Sequence, residues 1–296
     1  MLKKIMRRVL LALGLAAAAI APQAAEAKAT PALWSVSDAD TTIYLFGTIH
    51  LLPEKYDWQS PKLEKAVAGS QELVVETIVD EKNPMQLVGL LMKLGISNDL
   101  PPIAQRVPPS KRAQLEAAIK KSGAPRAVFD RMETWAAAFM LLGNQFRDLG
   151  LKGDEGVETV LRSDFSSQNK PIDQLETNAE QLGFFDTLPE KAQQDLLLGA
   201  IQPKGAMQTD FKKMLVAWSK GDVTAIARAF NHDLQASPDL RDALIRRRNA
   251  NWAKWIEQRM DKPGSILVAV GAGHLAGRYS VIDLLQRGGY KVTRLQ

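Results

Sequence analysis

Two short stretches with the same grammar constrain this chain more than any other feature. Thr42 to Phe46 is β-branched and aromatic, the composition of a strand that fits a packed sheet, and Gly47-Thr-Ile-His50 follows it directly. Ser265 to Val270 reads as a second apolar strand, and Gly271-Ala-Gly-His274 follows that one. In open α/β sheets, ligands bind at the carboxyl ends of the strands. The chain has three histidines, and two of them occupy equivalent places just past such ends. A lone histidine after a strand is usually a satisfied structural imidazole, so the argument for function lies in the repetition. The pattern predicts that His50 and His274 reach one edge of one sheet and share a site. His232, in Phe-Asn-His-Asp, lacks that context and reads as a surface residue.

The rest of the chain can be placed around those strands. Ala32 to Val36 and Thr42 to Phe46, joined by Ser-Asp-Ala-Asp, predict an opening β-hairpin. Ser60-Pro61 predicts a helix start, with Ser as N-cap and Pro at the first helical position, and Gly69 ends that helix. Leu73 to Val75 is then a short buried strand ending at Glu76. From Asn83 to about Arg162 the apolar spacing is helical, over Pro84–Leu94, Ser110–Lys121 and Ala127–Phe146. Lys170 to Leu175 is a weaker strand ending at Glu176, with Thr177 as the N-cap of the next helix. Residues 187–261 are again helical, closing on a helix from about Ile245 to Met260 with Asn249 and Trp252 on its apolar stripe. A helix over Ser280–Gln286 and a last strand over Tyr290–Arg294 complete the chain. The expected class is α/β, with strand-rich ends enclosing a long helical insertion and no linker to divide residues 28–296.

The first 27 residues are expected to lie outside that domain. Lys3, Lys4, Arg7 and Arg8 precede an apolar run from Val9 to Ile20, and Ala-x-Ala sites follow at Ala25/Ala27 and Ala27/Ala29. That is the pattern of a secretory signal peptide, and the run falls short of the ~20 residues a membrane span needs. The expected location is therefore periplasmic or extracellular, with no stable membrane span once the signal is cleaved. Losing those four cations and Glu26 brings the formal charge from +5 to about +2, so the basic balance belongs largely to the signal. Arg246-Arg247-Arg248 is the one dense basic cluster, which excludes a nucleic-acid footprint. Cysteine is absent, which excludes disulfides, thiolate metal sites and a lipid-modified N-terminus.

The candidate chemistry follows from what sits beside the histidines. Glu76 lies inside an apolar run, where a carboxylate is costly to bury unless it is paired or bound to metal. Glu176 holds the same position after the weaker strand, with capping of the next helix as its structural alternative. Arg248 lies among tryptophans, with a solvated basic face as its alternative. His-Glu-x-x-His and Gly-x-Ser-x-Gly are absent, and the glycines after Val270 have the wrong spacing for a dinucleotide fingerprint. Two imidazoles and one or two carboxylates suit a borderline divalent cation such as Zn²⁺, Mn²⁺ or Co²⁺ with an open position for water. His50, Glu76, His274 and Glu176 are the candidate ligands, and Arg248 the candidate group for steadying an oxyanion.

At these residues the chain resembles the TraB/GumN family, which is related to the Tiki proteins. The matching pieces are Leu45-Phe-Gly-Thr-Ile-His50-Leu-Leu-Pro53, Leu73-Val-Val-Glu76, Lys170-Pro-Ile-Asp-Gln-Leu-Glu176-Thr177, Arg248-Asn249 with Trp252, and Gly271-Ala-Gly-His274-Leu-Ala-Gly277. The resemblance implies a mixed sheet flanked by helices, in a fold group that includes a haem-iron-binding lipoprotein and erythromycin esterases. Tiki proteins are metalloproteases with a site of two Gly-x-x-His histidines and a glutamate, which maps onto His50, His274 and Glu76. The expectation is an exported, metal-dependent hydrolase acting on a peptide or protein substrate. Two alternatives stay open: a protein that holds metal or haem without catalysis, and an esterase-like enzyme using His50 as a base without metal.

Overall fold

The hairpin at the start of the chain seeds a six-stranded sheet. β1 (Leu33–Ser37) and β2 (Thr41–Thr48) pair antiparallel, and Asp38 Oδ1 accepts a hydrogen bond from the Thr41 N–H (2.9 Å) to close the turn. The computed structural model describes residues 28–79, 83–97, 99–149, 151, 156–235 and 237–296. Residues 1–27, on which the signal-peptide expectation falls, and the side chain of His232 lie outside the described residues. Beyond the hairpin come β3 (Glu72–Val75), β4 (Ile172–Gln174), β5 (Gly264–Gly271) and β6 (Val292–Arg294), and the sheet order is β4-β3-β5-β2-β1-β6. β2, β5, β3 and β4 run parallel, while β1 is antiparallel to both β2 and β6.

The register explains the edge. β2 and β5 pair from Thr41↔Gly264 to Thr48↔Gly271, so the two Gly-x-x-His segments leave the sheet side by side. β3 pairs with β5 on the other side, with Val75 opposite Ala269, and delivers Glu76 to the same edge. Phe46, Val75 and Val270 are thus on neighbouring strands with a common carboxyl edge, as the sequence predicts.

Both faces of the sheet are covered, which is why these strands are apolar throughout. Ile266, Val268 and Val270 pack on one face with Ile43, Leu45, Trp252, Ile256 and Leu285. Leu267 and Ala269 pack on the other with Phe46, Leu63, Leu161, Phe165 and Trp218. Each fully buried aliphatic side chain contributes about 1.5–3 kcal/mol, which lets the fold stand without disulfides. A third cluster, including Ile103, Leu115, Phe129, Leu141 and Leu197, forms the core of the helical insertion. No helix among the described residues is long and apolar enough to cross a membrane.

Two elements differ from the sequence expectation. The helix expected over Ala127–Phe146 is two helices, Arg126–Asp130 and Thr134–Asp148. The break is made by another chain segment: Ser97 N–H donates to Arg131 O (2.8 Å) and Glu133 N–H to Gly95 O (2.9 Å). The buried Arg106 guanidinium then bonds the Asp130 and Met132 carbonyls freed there, at 2.9 and 2.6 Å. Helical periodicity cannot show a partner ~30 residues away. The second difference is in the closing helix, where Asp242–Arg247 winds as a π-helix before the α-helix Arg248–Met260. Such turns are frequent at functional sites, and the wider turn re-aims the residues that follow it.

Candidate functional site

Arg248 and Asn249, the first residues after the π-turn, point into the interior at the sheet edge. Arg248 is 5% exposed, and its solvated-face alternative is thereby excluded. Its Nε and Nη2 donate to both oxygens of Glu176, with Nη2–Oε2 at 2.8 Å. Nη2 also donates to Glu76 Oε2 (2.7 Å), and Nη1 lies 3.3 Å from His274 Nε2. The guanidinium stacks 4.7 Å from the Trp252 ring, whose Nε1–H donates to Glu176 Oε1 (2.9 Å). Glu176 therefore faces Arg248 and Trp252, while Glu76 lies between Arg248 and the histidines. A buried cation with two buried carboxylates satisfies the pairing that an apolar environment demands.

Glu76 accepts two further hydrogen bonds that fix it and lies beside His274. The Gly271 N–H donates to Oε1 (2.7 Å), Gln181 Nε2 donates to Oε2 (3.2 Å), and His274 Nε2 stands 3.9 Å from Oε1. Burial alone would raise its pKa, but His274, Arg248, His50 and the Gly271 N–H outweigh burial and hold it at about 2. Glu176, with fewer cations around it, is pushed up by burial against the pull of Arg248.

His274 sits on a short 3₁₀ turn, Ala272–Leu275, stacked at 4.4 Å on the Trp252 ring. Its tautomer follows from its neighbour. Asn249 Nδ2 donates to the Tyr279 carbonyl (2.8 Å) and lies 3.4 Å from the His274 carbonyl, which turns Oδ1 toward the imidazole. Oδ1 can only accept, so His274 Nδ1, at 2.6 Å, carries the proton and Nε2 presents a lone pair to the site. Burial lowers the His274 pKa to about 4, with Arg248 and His50 adding to the effect and Glu76 opposing it.

His50 reaches the same place from an exposed loop. Glu158 Oε1 lies 2.7 Å from its Nδ1 and also accepts from the Thr48 hydroxyl, so Nδ1 donates and Nε2 is left toward the site. Glu158 opens the helix Val157–Ser167, where the helix dipole favours its charge, and the Val157 N–H donates to Ile49 O (3.1 Å). The charge of Glu158 raises the His50 pKa to about 9. The ring is 69% exposed, so water screens much of that attraction.

Two glycines make this convergence possible, and both do so by leaving space. A Cβ on Gly47 would lie 3.1 Å from Ala272 Cα, so the two motifs would have to give by a few tenths of an ångström to keep their close approach. A Cβ on Gly271 would lie 3.1 Å from Glu76 Oε1, 3.6 Å from His274 Cδ2 and 4.0 Å from His50 Nε2. The hollow above Gly271 is thus the point on which His50, Glu76 and His274 converge.

Among the described residues, no group of three or more His, Cys, Asp or Glu side chains is already drawn together as a metal ligand set. Ligand atoms on one tetrahedral ion stand ~3.3 Å apart, given bonds of ~2.0–2.1 Å, whereas His274 Nε2 and Glu76 Oε1 are 3.9 Å apart. The donor chemistry nonetheless fits a divalent ion. Two neutral-capable imidazoles are each held from behind through Nδ1, and the Glu76 carboxylate reaches the same hollow over Gly271.

The sequence profile of the TraB/PrgY/gumN family matches residues 32–294, almost the entire described chain. The chain belongs to that family. Among its relatives is a protein named "Uncharacterized protein YbaP" in Escherichia coli K12, 23% identical over 263 residues, which covers 86% of this chain and 92% of that protein. A protein of the same name in Shigella flexneri is 23% identical over 250 residues, covering 82% and 87%. An "Uncharacterized protein" of Treponema pallidum is 24% identical over 272 residues, covering 86% and 80%. No solved structure matches the chain.

Within this TraB/PrgY/gumN chain, the structure brings together His50, Glu76, His274, Arg248 and Glu176, all five residues singled out from the sequence. It adds Glu158 and Asn249 as the groups that orient the histidines, Thr48 and Tyr279 as their supports, and Gln181 as a donor to Glu76. Asn249 had a sequence signal, an amide on an otherwise apolar helical stripe. No spacing tied Glu158 to His50, because their link spans a loop and a helix start more than 100 residues apart.

Proposed function

We propose that this protein is an exported, divalent-metal-dependent hydrolase of peptide bonds, with His50, Glu76 and His274 as the metal ligands. The observation that carries the reading is the orientation of the two histidines: each is held through Nδ1 by a fixed acceptor, so that His50 Nε2 lies 4.0 Å from where a Gly271 Cβ would stand and His274 Nε2 lies 3.9 Å from Glu76 Oε1. A histidine that only packs has no need of that arrangement. A metal-ligating one does, because the acceptor behind it sets tautomer, orientation and basicity.

A bound Zn²⁺, Mn²⁺ or Co²⁺ would supply Lewis acidity and acidify a water molecule. The chain supplies the rest. Glu158 and Asn249 hold the imidazoles, and the Gly271 N–H and Gln181 hold Glu76. Glu176 and Trp252 fix Arg248 so that its charge stands against Glu76 and His274, where a developing oxyanion would be steadied. The metal-free esterase alternative uses the same His50, as a base in place of a ligand, and hydrolysis that persists after metal removal would favour it. Binding of metal or haem without turnover uses the same residues, and experiment separates it.

Calorimetric titration with Mn²⁺, Co²⁺ and Zn²⁺ is the first test. His50→Ala and His274→Ala should each lose metal affinity by more than the ~10–100-fold typical of residues behind the ligands. The double variant should be little worse than either single one. Hydrolysis of a peptide library should follow metal occupancy. Wild-type affinity in His274→Ala would show that the repeated motif is a structural turn. Binding without cleavage of any peptide would leave the non-catalytic reading.

A further inference from the structure

A second hollow lies in the helical insertion and shares no residue with the candidate site. Its volume is about 310 Å³, at the lower end of the ~300–1,000 Å³ typical of small-molecule pockets. Three segments enclose it: the helix Arg112–Ser122, the last two turns of Thr134–Asp148, and the turn through Pro203 into the helix Lys204–Ser219. Leu141 and Ile201, 1% and 5% exposed, form its floor. Ala117, Ala118 and Pro203 line its walls, and the two adjacent alanines leave room that larger side chains would fill. An ordered water needs about 2–4 polar partners, which an alkyl floor does not offer, so the inner part suits hydrocarbon.

The wall is also incomplete in polar terms. Gln145, which lines the hollow, turns its Nε2 to the Ala200 carbonyl. Its Oε1 is the one buried side-chain oxygen or nitrogen among the described residues without a hydrogen-bond partner. Such groups are rare in a finished interior.

The open side of the hollow is positive. Its one acidic residue among the described ones is Asp148, which pairs with Lys121 through Oδ2 and accepts from Lys204 Nζ at its carbonyl (2.9 Å). Arg147 adds a third cation beside that single carboxylate. Lys204 opens a helix whose first turn holds no acidic residue, where a cation opposes the helix dipole. An anion beside Lys121 and Lys204 would relieve both imbalances.

We propose that this hollow binds a small aliphatic acid, with its chain against Leu141 and Ile201 and its carboxylate held by Lys121 and Lys204. An apolar floor under a cationic rim matches a molecule with an apolar tail and an anionic head, and neither part alone uses the whole site. The proposal does not depend on the hydrolase reading, because none of its residues belongs to the sheet edge.

The test uses the full chain and decanoate below its micellar range, read by calorimetry. Acetate supplies the head without the chain, and decyltrimethylammonium the chain with the opposite charge. Decanoate should bind at a single site, and the other two should bind at least tenfold more weakly. The paired change Lys121→Gln/Lys204→Gln should weaken decanoate at least tenfold. It removes only exposed cations, so thermal unfolding without ligand should stay near wild type. Ala118→Leu, which fills the hollow from a half-buried position, should abolish binding. Methyl NMR of the wild type should show decanoate shifting Ala117, Ala118, Leu141 and Ile201. Equal binding of decyltrimethylammonium or acetate overturns the proposal, as does wild-type decanoate affinity in the paired glutamine variant. Methyl shifts confined to the sheet edge, or no decanoate binding at all, overturn it as well.

Discussion

The two Gly-x-x-His turns have the same sequence grammar and sit side by side on the sheet, yet their histidines live under opposite physical conditions. His274 is buried, stacked on Trp252, held by a neutral amide and lowered to about 4. His50 is 69% exposed, paired with a carboxylate and raised to about 9. The difference comes from what stands behind each ring and how much water reaches it. A shared motif thus fixes where a side chain emerges and leaves its protonation to distant parts of the chain. In the metal-free protein at neutral pH the pair carries one positive charge, on His50.

The strongest way to break the contrast is to remove the cation on the buried side. Arg248→Leu leaves Glu76 and Glu176 without their shared guanidinium, and breaking a buried ion pair from one side costs about 3–5 kcal/mol. Urea unfolding of the metal-free protein should show a loss of that order. A loss below about 1 kcal/mol would mean that water or a rearranged side chain replaces the guanidinium, and the buried side would then be less dry than the contrast requires.

Asn249→Ala tests the amide that sets the His274 tautomer. It removes the acceptor for Nδ1–H and leaves the Tyr279 carbonyl without its donor, at a cost of about 1–3 kcal/mol. Metal affinity should fall ~10–100-fold while the ligands stay in place. Nitrogen NMR of the metal-free protein should find His274 protonated on Nδ1 in the wild type and tautomerically mixed in the variant. A wild-type Nε2-protonated signal would remove His274 from the ligand set.

The sheet edge was legible because strands announce themselves locally: three apolar runs ended at His50, Glu76 and His274, and parallel pairing did the rest. Arg248 was ambiguous because Arg246 and Arg247 beside it are exposed, and only the π-turn separates a solvated arginine from a buried one. Glu158 was invisible as a partner of His50, since no spacing rule links a loop residue to the first turn of a helix 108 positions away. The split of the expected Ala127–Phe146 helix was hidden for the same reason, its cause being the Gly95–Ser97 segment. What sequence conveyed was local pattern and its repetition, and what it withheld was every decision made by a partner from elsewhere.

The opposite protonation of the two histidines also predicts opposite pH dependence. His50 binds its proton more tightly folded than unfolded, so its contribution is fully present below pH ~6.5 and is lost as pH rises toward about 9. His274 binds its proton less tightly folded, so stability falls as pH drops from ~6.5 toward about 4, where unfolded chains take up a proton that the folded site refuses. Metal-free protein should therefore lose stability on both sides of pH ~6.5, with the acid side steeper because His274 is buried and His50 is screened. Glu158→Gln separates the two sides with little cost elsewhere. It removes the charge that raises His50 but keeps an amide oxygen to accept from Nδ1–H, so stability at pH 6 should change by no more than about 1 kcal/mol. The alkaline loss should flatten, the His50 ring-proton titration should move from about 9 toward 6.5, and the acid side should not move. If His50 titrated near 9 in Glu158→Gln as well, its proton would be held by Glu76 across the hollow, and the exposed turn would be governed by the same buried carboxylate as its counterpart.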